Sequence, residues 1–159
     1  MSGSAEQAPY RLKSMSDLLQ LSTPKFLIEG WLLENTIAML VGDTGSCKST
    51  LARDIGVCIQ NSLPWHSLRT RACNVAIFNH EDGSGFKARY LANVDHYEIN
   101  EPALFWDSEV PNLLNTAEVD ARISAMKDAG IGLVVIDTLA HAMPGADENS
   151  AKEMGIAVD

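Results

Sequence analysis

Eight consecutive residues, Gly42, Asp43, Thr44, Gly45, Ser46, Cys47, Lys48 and Ser49, have the types and spacing to hold the phosphates of a nucleotide. The pattern for such a loop is G-x-x-x-x-G-K-[ST]. Gly42, Lys48 and Ser49 satisfy it, and Cys47 stands where the second glycine is required. Successive backbone N–H groups of such a loop form an anion nest, and the N-terminus of the helix that follows adds positive potential. Lys48 is expected to reach the β- and γ-phosphates and the Ser49 hydroxyl to ligate Mg²⁺, with Thr50 beside it in the first helical turn. The ligand class is a nucleoside triphosphate with magnesium. A thiol at 47 adds bulk where a glycine lets the backbone approach phosphate, which sets slow turnover against rapid turnover as an open alternative. An ordinary Gly/Ser turn between a strand and a helix is the plain competing reading.

A second group of residues has the chemistry to complement that loop. Asp137 ends an apolar run at 132–137. A carboxylate at the end of a buried strand is costly unless it meets a cation or donors. After a phosphate loop it is suited to hold the water shell of Mg²⁺. A third run, 73–79, is followed at once by His80, Glu81 and Asp82. A carboxylate at the tip of a strand beside the Asp137 strand can orient and deprotonate an attacking water, so Glu81 is the candidate general base and Asp82 the second choice. Strand-end capping for Asp137 and a solvated acidic loop for Glu81 are the plain alternatives.

The elements that must position these residues follow from hydrophobic periodicity. The run at 37–41 reads as a buried strand before the loop, and 49–60 as a helix with Leu51, Ile55 and Ile59 on one face. Ser16 is expected to cap a short helix through Leu21. Residues 85–97 read as a helix with Phe86, Tyr90 and Val94 inward, and 104–106 as a strand. Thr116 is expected to cap a helix through Ala129, with Val119, Ile123 and Met126 inward and Gly130 as its stop. Residues 64–66 read as a loop, 139–147 as a long loop with a plain His141, and 149–159 as the start of a helix. Strands alternating with helices predict an α/β fold with a parallel, doubly wound sheet flanked by helices and ligands at the strand C-termini.

Composition fits one globular domain. The 159 residues are 46% hydrophobic and 21% charged, with a net charge of −9. Residues 1–14 read as a disordered N-terminal tail, small and polar at the start, without the basic-then-apolar order of a signal peptide. No run is long and apolar enough to span a bilayer. Cys47, Cys58 and Cys73 make no metal or disulfide pattern, which fits a cytoplasmic location. The acidic balance argues against a broad basic nucleic-acid surface. Arg69, Arg71, Lys87 and Arg89 read first as solvated surface charge.

Three segments together resemble the RecA-type ATPases of the RepA plasmid-helicase group, also grouped as AAA-family ATPases. They are residues 42–50; Phe78, Asn79, His80, Glu81 and Asp82 with Arg89 shortly after; and residues 134–138 followed by Asp147, Glu148, Asn149 and Ser150. The stretch from Phe26 to Trp31 is similar to the segment that opens that group's domain. The resemblance runs from about residue 15 to the end. It implies a RecA-like P-loop ATPase domain over 15–159, adenine as the base, and a homo-oligomeric ring, such as a hexamer. It also implies single-stranded DNA as partner, a helicase or other replication role, and Lys48, Ser49, Glu81 and Asp137 as nucleotide and catalytic residues. The chain departs from the group at Cys47 and at its end. RecA-type sheets insert a later strand between the loop strand and the Asp137 strand, and no such strand follows Asp137 here. The expectation is therefore a domain incomplete at its C-terminus, with a gap between 37–41 and 132–137. A slow or non-hydrolysing assembly module and a small-molecule P-loop kinase are the alternative functions. No acceptor pocket or arginine-bearing lid for a kinase is visible.

Overall fold

The computed structural model of the protein describes residues 12, 14–80 and 83–145. Its main sheet is parallel, with strand β3 (Asn74–Asn79) between β4 (Phe105–Asp107) and β5 (Ile131–Asp137). Helices α2 (Lys48–Gln60), α3 (Gly83–His96), α4 (Thr116–Asp128) and the short α5 (Leu139–Ala142) alternate with these strands. Ahead of them lie helix α1 (Met15–Leu19) and an antiparallel hairpin of β1 (Phe26–Ile28) and β2 (Leu32–Leu33). The α/β class and parallel sheet agree with the reading from periodicity.

Strand β3 is the centre of the core, with Val75 to Asn79 all buried. Side chains alternate across a strand, so 75, 77 and 79 share one face and 76 and 78 the other. Helix α2 covers the first face: a Cβ added to Gly56 would lie 3.2 Å from Val75 Cγ1 and 3.5 Å from Ile77 Cδ1. Helix α4 reaches the second face, where the Arg122 guanidinium sits 5.7 Å from the Phe78 ring centroid. Helices therefore flank both faces. The register pairs Val75 with Leu133, Ile77 with Val135 and Asn79 with Asp137. Leu133, Val135 and Asp137 thus lie on the α2 face.

The direction of α2 follows from its last residue. Gln60 Oε1 accepts from the Val75 N–H at 2.7 Å, at the start of β3. The helix C-terminus lies at the N-terminal end of β3, so α2 runs antiparallel to the strand. Its N-terminus points toward the C-terminal edge of the sheet. Ile55, Val57, Cys58 and Ile59 are all buried, a wider contact than the single stripe at 51, 55 and 59 predicts.

Several expectations are corrected. Residues 37–41 form no strand. Ile37 is 71% and Val41 80% exposed, and β5 pairs with β3 alone among the described residues. An apolar run alone does not make a strand, because it needs a neighbour to complete its hydrogen bonds. Ser14, not Ser16, caps α1, in a capping box with Asp17. Asn115, not Thr116, caps α4, through a bond from the Glu118 N–H. Ile123 is 38% exposed rather than inward. Gly130 does end α4, and Phe86, Tyr90 and Val94 do face inward on α3. The expected tail, apart from residues 12 and 14, and the expected helix from 149 lie outside the described residues.

A polar cluster joins α2 to α3 and to the loop at 64–66. Asp54 Oδ1 accepts from the Tyr97 hydroxyl at 2.8 Å and from Asn93 Nδ2 at 3.1 Å, and its Oδ2 from Trp65 Nε1 at 3.1 Å. Burial, then hydrogen bonds with Cys58 and Asp54, push the Tyr97 hydroxyl far above its ordinary pKa, and burial raises the Cys58 thiol. Asp54→Ala leaves three donors without their acceptor and is expected to lower unfolding free energy by about 2–3 kcal/mol in urea denaturation. Both raised groups are neutral in the fold where the unfolded chain ionises. Their contribution is complete below their ordinary values of 9.0 and 10.0 and is lost as pH rises beyond them. Parent stability should fall above pH 9 in the same experiment.

Candidate nucleotide-binding site

The loop at 42–49 owes its shape to two left-handed residues. Gly45 has φ +82° and Cys47 φ +64°, with Ser46 between them. The Ser46 N–H donates to the Asp43 carbonyl at 3.1 Å, and the Leu51 N–H to the Cys47 carbonyl at 2.9 Å, which starts α2. Left-handed backbone is easy for glycine and costs other residues about 1–2 kcal/mol. The absent second glycine is thus a real local cost, and Cys47 bears it. Cys47 is the N-cap of α2 and makes no side-chain cap bond. The N–H groups of the first helical turn have no intrahelical acceptors, which suits them to an anion.

Lys48 folds over this loop. Its Nζ donates to the Gly42 carbonyl at 2.7 Å and to the Asp43 carbonyl at 2.8 Å. The ammonium is therefore held at the loop, where phosphate oxygens can replace carbonyl oxygens as its acceptors. Asp43, Thr44, Gly45, Ser46, Cys47 and Thr50 are exposed, while Lys48 and Ser49 are half-buried.

Across the same edge of the sheet, Asp137 ends β5 on the α2 face. Its Oδ2 accepts from Asn79 Nδ2 at 2.8 Å. Asn79 is 5% exposed and ends β3 directly beside it in register. The contact orients the carboxylate and leaves it further lone pairs. The Ser49 hydroxyl and the Asp137 carboxylate are hard oxygen donors, the chemistry Mg²⁺ takes while keeping most of its waters. No group of three or more His, Cys, Asp or Glu able to hold a metal occurs among the described residues.

Two residues of the edge escaped the sequence reading. Asn79 is given no role there beyond ending an apolar strand and lying in a segment that carries the resemblance. His141 reads as a plain loop residue, yet its ring stacks on His80 with centroids 4.7 Å apart and planes at 28°. It lies in α5, within the stretch expected to be a loop. Glu81, Asp82 and residues 147–150 lie outside the described residues. Two of the basic side chains have local partners: Arg69 donates to both carboxylate oxygens of Glu29 at 2.7 Å, and Arg71 pairs with Glu34.

No helix among the described residues is long and apolar enough to cross a membrane. No curated protein and no solved structure gives a significant match to the chain. A family model described as an AAA domain matches residues 6–159, nearly the whole sequence. With its glycine loop, Lys48 and Asp137 on one edge of a parallel sheet, the chain belongs to the AAA domain family of P-loop ATPases.

Proposed function

We propose that the chain binds Mg·ATP at residues 42–50 and hydrolyses it as part of a RecA-like motor of the RepA type, a ring-forming homo-oligomer acting on single-stranded DNA. The observation that carries the ATPase part is one of direction. Helix α2 runs antiparallel to β3, so the phosphate loop and Asp137 share the C-terminal edge of the sheet and the same face. The motor, the ring and the DNA come from the resemblance of residues 42–50, 78–82 with Arg89, and 134–138 with 147–150 to that helicase group.

In this reading the loop N–H groups and Lys48 hold the phosphates, and Lys48 exchanges the Gly42 and Asp43 carbonyls for phosphate oxygens. Ser49 and, through water, Asp137 hold Mg²⁺, which when bound neutralises phosphate charge. Glu81 takes a proton from the attacking water, and Asn79 keeps the Asp137 carboxylate oriented. A module that binds ATP and assembles but hardly hydrolyses it is the second reading. The left-handed Cys47 favours it, because its Cβ stands where phosphate is to be approached closely. Stimulation of phosphate release by single-stranded DNA separates a motor from that module.

Lys48→Ala is expected to weaken Mg·ATP binding by about tenfold or more, since a charge-assisted contact is worth roughly 1.5–3 kcal/mol. Calorimetry on the folded variant checks this, and unchanged affinity would refute the loop assignment. Glu81→Gln is expected to leave ATP affinity near the parent's while hydrolysis falls by about 10²–10⁴. Equal rates would move the role to Asp82 or elsewhere. Cys47→Gly relieves the left-handed strain and clears the thiol, so stability is expected to rise by about 1 kcal/mol, with tighter ATP binding and faster hydrolysis. The parent alone should be inactivated by thiol reagents and protected by Mg·ATP. Identical affinity and rate in both proteins, without protection, would show that the loop tolerates Cys47.

A further inference from the structure

The ends of β3 and β5 are joined by more than the backbone ladder. Asn79 donates to Asp137, and one residue beyond Asn79 the His80 ring stacks on His141. His141 Nδ1 lies 3.0 Å from Thr138 Oγ1, in hydrogen-bond contact with the residue that follows Asp137. The short helix that carries His141 is anchored in turn. The Ala142 carbonyl accepts from the Leu113 N–H at 2.8 Å, and Ala142 and Met143 are buried. The stack therefore fastens the exit of β3 to an element whose position is set by the end of β5 and by the chain after β4.

We propose that His80 and His141 are positioning residues for nucleotide hydrolysis, their stacked rings fixing His80 at the end of β3 relative to Asp137 and helix α5. The inference rests on the ATPase reading above. The Asn79–Asp137 bond aligns the strand ends in register, but it does not set the direction of the chain beyond 79. The stacked rings place His80, the next residue, because its ring cannot leave its position without breaking the face-to-face contact. Both rings are exposed, so little apolar burial explains the contact. Small errors of placement matter at such an edge, since a misplacement of about 1 Å can cost roughly 10²-fold in rate.

The test is a double-mutant cycle with His80→Ala, His141→Ala and the pair together, plus His80→Phe as the conservative change. Each purified protein is assayed for kcat, ATP affinity and thermal midpoint, and the imidazole proton shifts of the remaining histidine are read by NMR. Each alanine variant is expected to lose about tenfold to a hundredfold in kcat, with ATP affinity and midpoint unchanged. The pair should be no worse than either single change. His80→Phe, which keeps a stacking ring, should retain kcat within about twofold of the parent on the same geometric argument. In His141→Ala the His80 ring protons should lose their ring-current shift whether or not the protein hydrolyses ATP. Additive losses, a phenylalanine variant as slow as alanine, parallel loss of affinity or midpoint, or alanine variants as fast as the parent would each overturn the positioning role. A parent that hydrolyses no ATP refutes the ATPase reading itself and this inference with it. An active parent with active alanine variants refutes this inference alone.

Discussion

The antiparallel seat of α2 on β3 is the constraint on which the site depends. It requires close approach, and Gly56 provides it: a side chain there would press on Val75 and Ile77. It requires a fixed direction, which the Gln60–Val75 hydrogen bond supplies at the far end. It requires burial on more than one side of the helix, which Ile55 to Ile59 satisfy. With these in place, the N-terminus of α2 can point only toward the strand tips. The phosphate loop inherits its location from packing more than ten ångströms of helix away, at about 1.5 Å per residue from Gly56 to Lys48.

Most of this arrangement was legible in the chain. The apolar run at β3 is continuous because both faces of that strand are buried, and the run at β5 is as continuous although Gly132 and Val134 on one of its faces are exposed; continuous runs are easy to read. Helices α2 and α3 show a periodic face. The run at 37–41 reads just as well and yet forms no strand, because strand formation depends on a partner that periodicity does not reveal. The β1–β2 hairpin escaped for the opposite reason, its strands being three and two residues long, too short for alternation to register. Lys48, Ser49 and Asp137 stand out in the sequence because the chemistry expected of them is tied to a spacing. Asn79, His80 and His141 were not paired in that reading, because a contact between the end of one strand and the helix after another has no sequence period.

Charge is distributed in a way that net charge conceals. Of the basic residues near the hairpin, Arg69 grips Glu29 through Nε and Nη2 and Arg71 pairs with Glu34. The hydrogen bond from Arg69 holds the Glu29 carboxyl below its usual range. These pairs join the hairpin to the segment ahead of β3, reinforcing backbone bonds from Glu29 to Arg69 and from Arg71 to Leu27. These two guanidinium groups are occupied by carboxylates of their own chain.

Helix α4 has no fully buried residue, only half-buried ones such as Val119 and Met126, and a guanidinium adds a charged attachment. Arg122 bonds Asp107 at the tip of β4, reaches Glu109 at 3.1 Å and lies over the Phe78 ring. The charged part of this attachment weakens as ions accumulate around it, whereas the fully buried α2 seat strengthens under salting-out anions. The two faces of the sheet should therefore answer the ionic medium in opposite senses: the face bearing the phosphate loop grows firmer as the α4 layer loosens.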